Sequence, residues 1–168
     1  MLEFTLNGAP AAVDVPEEAT LLHALRGPLG LSGPRFGCGA EQCGCCMVLL
    51  DGEPACSCTL AAAAVGGRSV ATVEGLGTPG SPHALQTAFL DEQAGQCGWC
   101  LPGILVSASA LLAADPDPDD DAIRRALDPH LCRCGSHNRI LRAVKRAARA
   151  MRAGAMRAGA TRAGAAAA

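Results

Sequence analysis

Tyrosine is absent and there are only one tryptophan and three phenylalanines, so the 49% of residues that are hydrophobic are drawn heavily from alanine and valine. Cores made of such side chains are thin, and a short chain buries a smaller share of its surface on folding, so cross-links, metals or a partner surface must supplement them. Neither charge dominates. Fourteen basic and 16 acidic side chains leave a formal net charge of −2, which excludes a nucleic-acid binder that relies on a basic surface to neutralise phosphates. Long apolar runs are missing too: Leu60 to Val65 is broken by Gly66-Gly67, far short of the roughly 18 residues of a membrane span. The opening Met1-Leu2-Glu3-Phe4-Thr5 has neither the basic region nor the apolar core of an export signal. The expectation is a cytoplasmic protein, with export or membrane association only through a partner. No Ser/His/Asp arrangement and no suitably placed carboxylate pair stands out, so the chain itself is expected to do no substrate chemistry.

Cysteine is abundant instead: there are ten. In a reducing compartment these read as metal ligands or redox groups rather than disulfides. Cys38, Cys43 and Cys46 follow C-x4-C-x2-C, and Cys58 lies beyond a hairpin, the plant-type ligand spacing for a [2Fe-2S] cluster. Gly37, Gly39 and Gly44 are expected to let backbone amides approach the sulfurs and to accept positive φ. Cys45 and Cys56 exceed the four-ligand count and are read as small buried side chains. A second group comprises Cys97 and Cys100, in Cys97-Gly98-Trp99-Cys100, and Cys132 and Cys134, in Cys132-Arg133-Cys134-Gly135. Each pair borders a helix start, where backbone amides lower thiolate pKa values. By spacing alone this group suits a four-cysteine zinc site as well as an iron-sulfur cluster. His23, His83 and His130 have no spacing that converges on a metal, and Cys134-x2-His137 is half of a Rieske spacing without its C-x-H partner, so His137 reads as a surface or interface histidine.

The organisation is α+β. Leu2 to Leu6, the turn Asn7-Gly8 and Ala11 to Val15 predict a β-hairpin, and Thr20 can cap a helix carrying Leu21, Leu22 and Leu25. The loop from Gly33 to Cys46 is followed by strands at Met47 to Leu50, Ala55 to Leu60 and Val70 to Val73, a small mixed sheet with one helix packed on it. After a Gly/Pro-rich linker, helical periodicity runs through Pro82 to Gln93, Pro102 to Ala114, Ala122 to Leu127 and onward from about Asn138. The expected units are residues 1–76, residues 82–150 and a tail at residues 151–168. That tail repeats arginine, alanine and glycine and reads as disordered or frayed helix.

The segments GCGAEQCGCC with Cys58, QCGWC at Gln96 to Cys100 and LCRCG at Leu131 to Gly135 together resemble the small iron-sulfur subunit of the molybdenum hydroxylases, the xanthine oxidase family. Within it, PHALQTAFLDEQAGQCGWC and LCRCGSHNRILRAV are similar to subunits of nicotinate dehydrogenase and isoquinoline oxidoreductase. The resemblance implies a β-grasp plant-type ferredoxin domain holding one [2Fe-2S] cluster on Cys38, Cys43, Cys46 and Cys58. It implies a four-helix domain holding a second on Cys97, Cys100, Cys132 and Cys134, which favours iron over zinc. It further implies electron transfer for a large partner subunit whose molybdenum-pterin cofactor oxidises an N-heterocycle or aldehyde, with Gln96 and Cys134 nearest the pterin. The implied onward acceptor is FAD on a flavin subunit or haem c in cytochrome c domains.

Overall fold

The computed structural model describes residues 1–165, with side chains through residue 155. In chain order the elements are β1 (Leu2–Leu6), β2 (Ala9–Val13), α1 (Leu21–Arg26), β3 (Met47–Leu50), β4 (Glu53–Cys56), β5 (Ser69–Ala71), α2 (Ala84–Asp91), α3 (Leu101–Ala114), α4 (Asp120–Leu127) and α5 (His137–Ala165). The five strands form one mixed sheet in the order β2-β1-β5-β3-β4. Strand β1 is parallel to β5, and the other pairings are antiparallel.

Both hairpins are closed by two-residue turns whose residues have positive φ: Asn7 and Gly8 at 52° and 83°, Asp51 and Gly52 at 53° and 92°. This backbone matches the right-handed twist of the flanking strands, which is why Asn-Gly and Asp-Gly favour it. The first turn sets the register Leu6↔Ala9 through Leu2↔Val13, so the returning strand lies two residues earlier than the apolar pattern alone predicts. Strand β4 likewise ends at Cys56 rather than Leu60. Ser57 donates from both its amide and its hydroxyl to the Cys46 carbonyl, the hydroxyl at 2.6 Å, and so anchors the chain where it leaves the sheet. Helix α1 begins where Thr20 Oγ1 accepts from the His23 amide. It buries Leu21 and Leu25 against Phe4, Val48, Val65 and Val70.

The helical half starts with a reciprocal cap at α2. His83 Nδ1 accepts from the Leu85 amide at 3.2 Å, and Gln86 Oε1 accepts from the His83 amide at 2.8 Å, which satisfies donors that a helix end leaves free. Asp119 caps α4 through the Ala122 amide at 2.7 Å. Helix α5 packs along α2 and α4, burying Ile140, Val144 and Ala147 with Leu85, Ile104 and Ile123. Arg142 and Arg146 pair with Glu92 and Asp91 on its exposed flank. Such half-exposed pairs contribute little beyond orientation.

The tail is expected to be disordered or frayed helix, and α5 as described runs on into it to Ala165. Adding a residue to an existing helix avoids the nucleation cost, and alanine and arginine are good helix formers, so the repeat extends a helix it could not start alone. Arg152 also ion-pairs with Asp117 ahead of α4. The part of that expectation falling on residues 166–168 lies outside the described residues.

The halves share a core boundary. Cys43 and Cys45, from the loop before β3, are buried in the same cluster as Leu85, Ile104 and Ile140, and α3 lies against β3 and β4. At the seam the buried His130 ring bonds to Ser107 Oγ on α3 through Nε2, at 2.8 Å. Its other face lies against Gly44, where a Cβ would come within 2.2 Å of Nδ1. Burial pushes the His130 imidazole down to about 4, so it packs as a neutral ring.

Candidate metal centres

The loop carrying the first group folds around its own sulfurs. Cys38 Sγ accepts from the amides of Ala40 and Gln42 at 3.3 and 3.2 Å, and Cys43 Sγ accepts from the Cys38 amide at 3.3 Å. The Ala40 and Gln42 amides hold the exposed Cys38 thiol down to about 7. A thiolate there forms near neutral pH, and the thiolate is the form that binds iron. Cys46 differs: burial pushes it up to about 12, so its proton leaves only when a metal takes its place. Gly39 and Gly44 have φ of +67°. Gly37 is there for space instead, since a Cβ would lie 2.6 Å from Cys43 Sγ.

The second group repeats the pattern on helix ends. Cys97 Sγ accepts from the Trp99 amide at 3.5 Å, and that amide together with the Cys134 thiol holds Cys97 below the ordinary thiol range. Cys100 stands at the N-cap of α3, where burial, reinforced by the neighbouring Cys132 thiol, pushes it up to about 12. At Cys132 burial pulls upward but is outweighed by the Ser136 amide, the Cys100 thiol and the amides of Cys134 and Gly135, and the net direction is down. Cys97, Cys100, Cys132 and Cys134 line one small pocket, together with Ala94 and Ser136. Gln96 Nε2 reaches the Cys134 carbonyl at 3.5 Å. Gln96 also lines the adjoining open groove of about 780 Å³, whose apolar wall includes Phe89, Leu90, Leu101 and Leu105.

Of the eight sequence-assigned cysteines, Cys97, Cys100, Cys132 and Cys134 line one pocket, while Cys38, Cys43 and Cys46 lie in the loop before β3 and Cys58 just beyond β4. Thiol neighbours are Cys38 with Cys43, Cys46 with Cys58, Cys97 with Cys134 and Cys100 with Cys132, and Cys43 and Cys46 have Cys45 and Cys56 beside them as well. Among the described residues no three of His, Cys, Asp or Glu gather as a ready single-ion site. Two thiolates per metal suit a two-iron core with four cysteines, and the amide donors around the sulfurs suit its negative charge. The donor sets thus fit [2Fe-2S] clusters at both places. The two extra thiols stand beside them. Cys45 is buried 3.8 Å from the Cys43 carbonyl, and Cys56, on β4, touches the Cys46 thiol.

Arg35 ties the two loops together. Its amide donates to the Cys45 carbonyl at 3.0 Å, its Nη1 to the Gly98 carbonyl at 2.6 Å, and its guanidinium lies 5.1 Å from the Trp99 ring centroid. No local motif marks it, because Gly98 is 63 residues away in the chain.

Two family descriptions match the chain: a 2Fe-2S iron-sulfur cluster binding domain over residues 4–70 and a [2Fe-2S] binding domain over residues 72–145. A nicotinate dehydrogenase component of Pseudomonas putida is 47% identical over 151 residues, covering 90% of this chain and 96% of that protein. The alpha chain of isoquinoline 1-oxidoreductase from Brevundimonas diminuta is 48% identical over 150 residues, 89% of this chain and 98% of its own. The chain belongs to the small iron-sulfur subunits of the molybdenum hydroxylases. Its backbone agrees: a chain of quinoline 2-oxidoreductase from Pseudomonas putida 86 superposes with a TM-score of 0.86 at 38% identity, over 91% of this chain and 96% of that one. This small subunit is accordingly an electron-transfer component of an oxidoreductase, built as a β-grasp ferredoxin domain followed by a helical [2Fe-2S] domain. Among its described residues no helix is long and apolar enough to cross a membrane.

Proposed function

We propose that this subunit carries electrons from a large molybdenum-pterin subunit that oxidises an N-heterocycle, by way of the helical-domain centre and then the ferredoxin-domain centre. The observation that carries this reading is the placement of two paired-thiol groups on successive domains, one of them at the rim of an apolar groove. The similar proteins named above act, by their names, on nicotinate, isoquinoline and quinoline, all N-heteroaromatic compounds. Hydroxylation with water converts C–H and H2O into C–OH, two protons and two electrons; iron-sulfur clusters, when bound, supply one-electron carriers for such a pair.

On this reading Cys97, Cys100, Cys132 and Cys134 hold the centre that receives the electrons. Gln96 steadies the Cys134 loop beside the groove, into which the large subunit seats its apolar surface. Leu90, a groove residue exposed to 76%, gains a cover by this docking. Cys38, Cys43, Cys46 and Cys58 hold the centre that releases the electrons, and the exposure of Cys38 leaves it open to an acceptor. The acceptor belongs to the FAD or haem c class, carried on a flavin subunit or on cytochrome c domains, and the complex is placed in the cytoplasm or exported through its partner.

Low-temperature EPR on the anaerobically purified complex, reduced with dithionite and quantified, tests this directly. Two distinct S = 1/2 signals, each near one spin per small subunit, are expected. A colourless, EPR-silent protein that contains zinc and resists reconstitution with iron and sulfide would overturn the reading. The ligand assignment carries its own test: Cys45→Ala should leave iron and sulfide per chain unchanged and both EPR signals present. Loss of the first signal alone would move the ligand from Cys46 to Cys45.

A further inference from the structure

Ser136 immediately precedes α5 and stands at its N-cap position. Its carbonyl accepts from the amides of Arg139 and Ile140 at 2.9 and 3.0 Å. A serine in that place ordinarily turns its hydroxyl oxygen onto a free amide two or three residues ahead, which is why serine is favoured there. Ser136 does not. The residue is 4% exposed and its Oγ has no hydrogen-bond partner. A buried hydroxyl left in that state is destabilising, so the forgone cap calls for an acceptor of another kind. The residue lines the small pocket walled by Cys97, Cys100, Cys132 and Cys134. Sulfur is the acceptor this pocket is built to contain.

We infer that the Ser136 hydroxyl donates a hydrogen bond to a sulfur of the helical-domain [2Fe-2S] centre and raises the reduction potential of that centre. The inference rests on the proposed ligand set of that centre. One-electron reduction adds a unit of negative charge to the iron-sulfur core without making or breaking a covalent bond, and a fixed donor favours the more negative state. Hydrogen bonds to cluster sulfurs are among the means by which a protein sets such potentials. The hydroxyl thus makes the receiving centre a better acceptor for electrons from the partner's oxidation site, while the ferredoxin-domain centre, remote from Ser136 in its ligand set, is untouched. Ser136 is a positioning and tuning residue, not a ligand.

An EPR-monitored redox titration of the assembled complex tests this with wild type, Ser136→Ala and Ser136→Thr. At a fixed potential, Ser136→Ala should shift the oxidised-to-reduced ratio of the helical-domain centre roughly tenfold toward oxidised, which is a midpoint about 59 mV lower for a one-electron couple. The other centre should keep its midpoint, and Ser136→Thr, which retains a hydroxyl, should restore the first. An unchanged midpoint in Ser136→Ala, or an equal shift of both centres, would overturn the inference. Should Ser136→Ala fail to assemble, Ser136→Gly carries the same comparison, since N-caps tolerate glycine. As an independent measurement, proton ENDOR on the reduced helical-domain signal should lose one exchangeable coupling in the hydroxyl-free variant, and retention of the full set would overturn the inference. A wild-type complex lacking the second EPR signal would remove the ligand reading itself, and this inference with it.

Discussion

Replacing Cys58 with serine is expected to halve the iron and acid-labile sulfide of the small subunit, erase one EPR signal and lower turnover of the assembled complex by more than about 100-fold. Loss of a group that merely supports a metal site costs up to about 100-fold, and Cys58 is proposed as a ligand. Its thiol meets that of Cys46, whose burial pushes it up to about 12; without iron shared with its partner, that thiol has no reason to ionise. Cys100→Ser should produce the mirror image, erasing the other signal and sparing this one, because Cys100 meets only the second group's Cys132 among the proposed ligands. Iron content by chemical assay separates the cases. A Cys58→Ser protein with undiminished iron would place the fourth ligand elsewhere, and Cys56, already touching Cys46, would be the candidate.

Gly103→Ala is expected to destabilise the fold by about 1–3 kcal/mol, the usual range for overpacking a filled site. A Cβ at Gly103 would lie 2.0 Å from the Gly44 carbonyl oxygen and 3.4 Å from His130 Cε1. The first obstacle is backbone, set between Cys43 and Cys45 in the ligand loop, so no flexible side chain can yield. The temperature at which the assembled complex loses its visible iron-sulfur absorbance should fall by about 2–4 °C per kcal/mol for a chain of this size. The same substitution at Gly154 is the control. That helical glycine meets nothing within 4 Å of its added Cβ, and alanine there should stabilise α5 slightly, by at most about 1 kcal/mol. Equal melting of Gly103→Ala and wild type would show that the two domains can part at this seam without cost.

These two substitutions probe different kinds of information in the chain. The Cys38, Cys43 and Cys46 spacing is local: a short loop can bring its own thiols and amides together whatever surrounds it, and the amide bonds onto Cys38 span only two and four residues. The same holds for both hairpin turns, whose φ values Asn-Gly and Asp-Gly adopt readily. Element ends were less legible. The apolar pattern could not tell that β4 gives way at Cys56, since Ser57 anchors to Cys46 across the hairpin, nor that α5 carries its low-complexity extension to Ala165.

By itself the sequence determined the two cysteine spacings, the order of the two domains and their resemblance to a family, because ligand spacing and turn chemistry act over a few residues. Only the tertiary structure decided how the thiols pair, that Arg35 ties one ligand loop to the other, that Gly103 must be bare to admit the Gly44 carbonyl, and that the Ser136 hydroxyl forgoes its cap. Each of these depends on what distant segments bring to the same few ångströms, and close packing across domains fixes that through the fit of the whole core rather than through any local pattern.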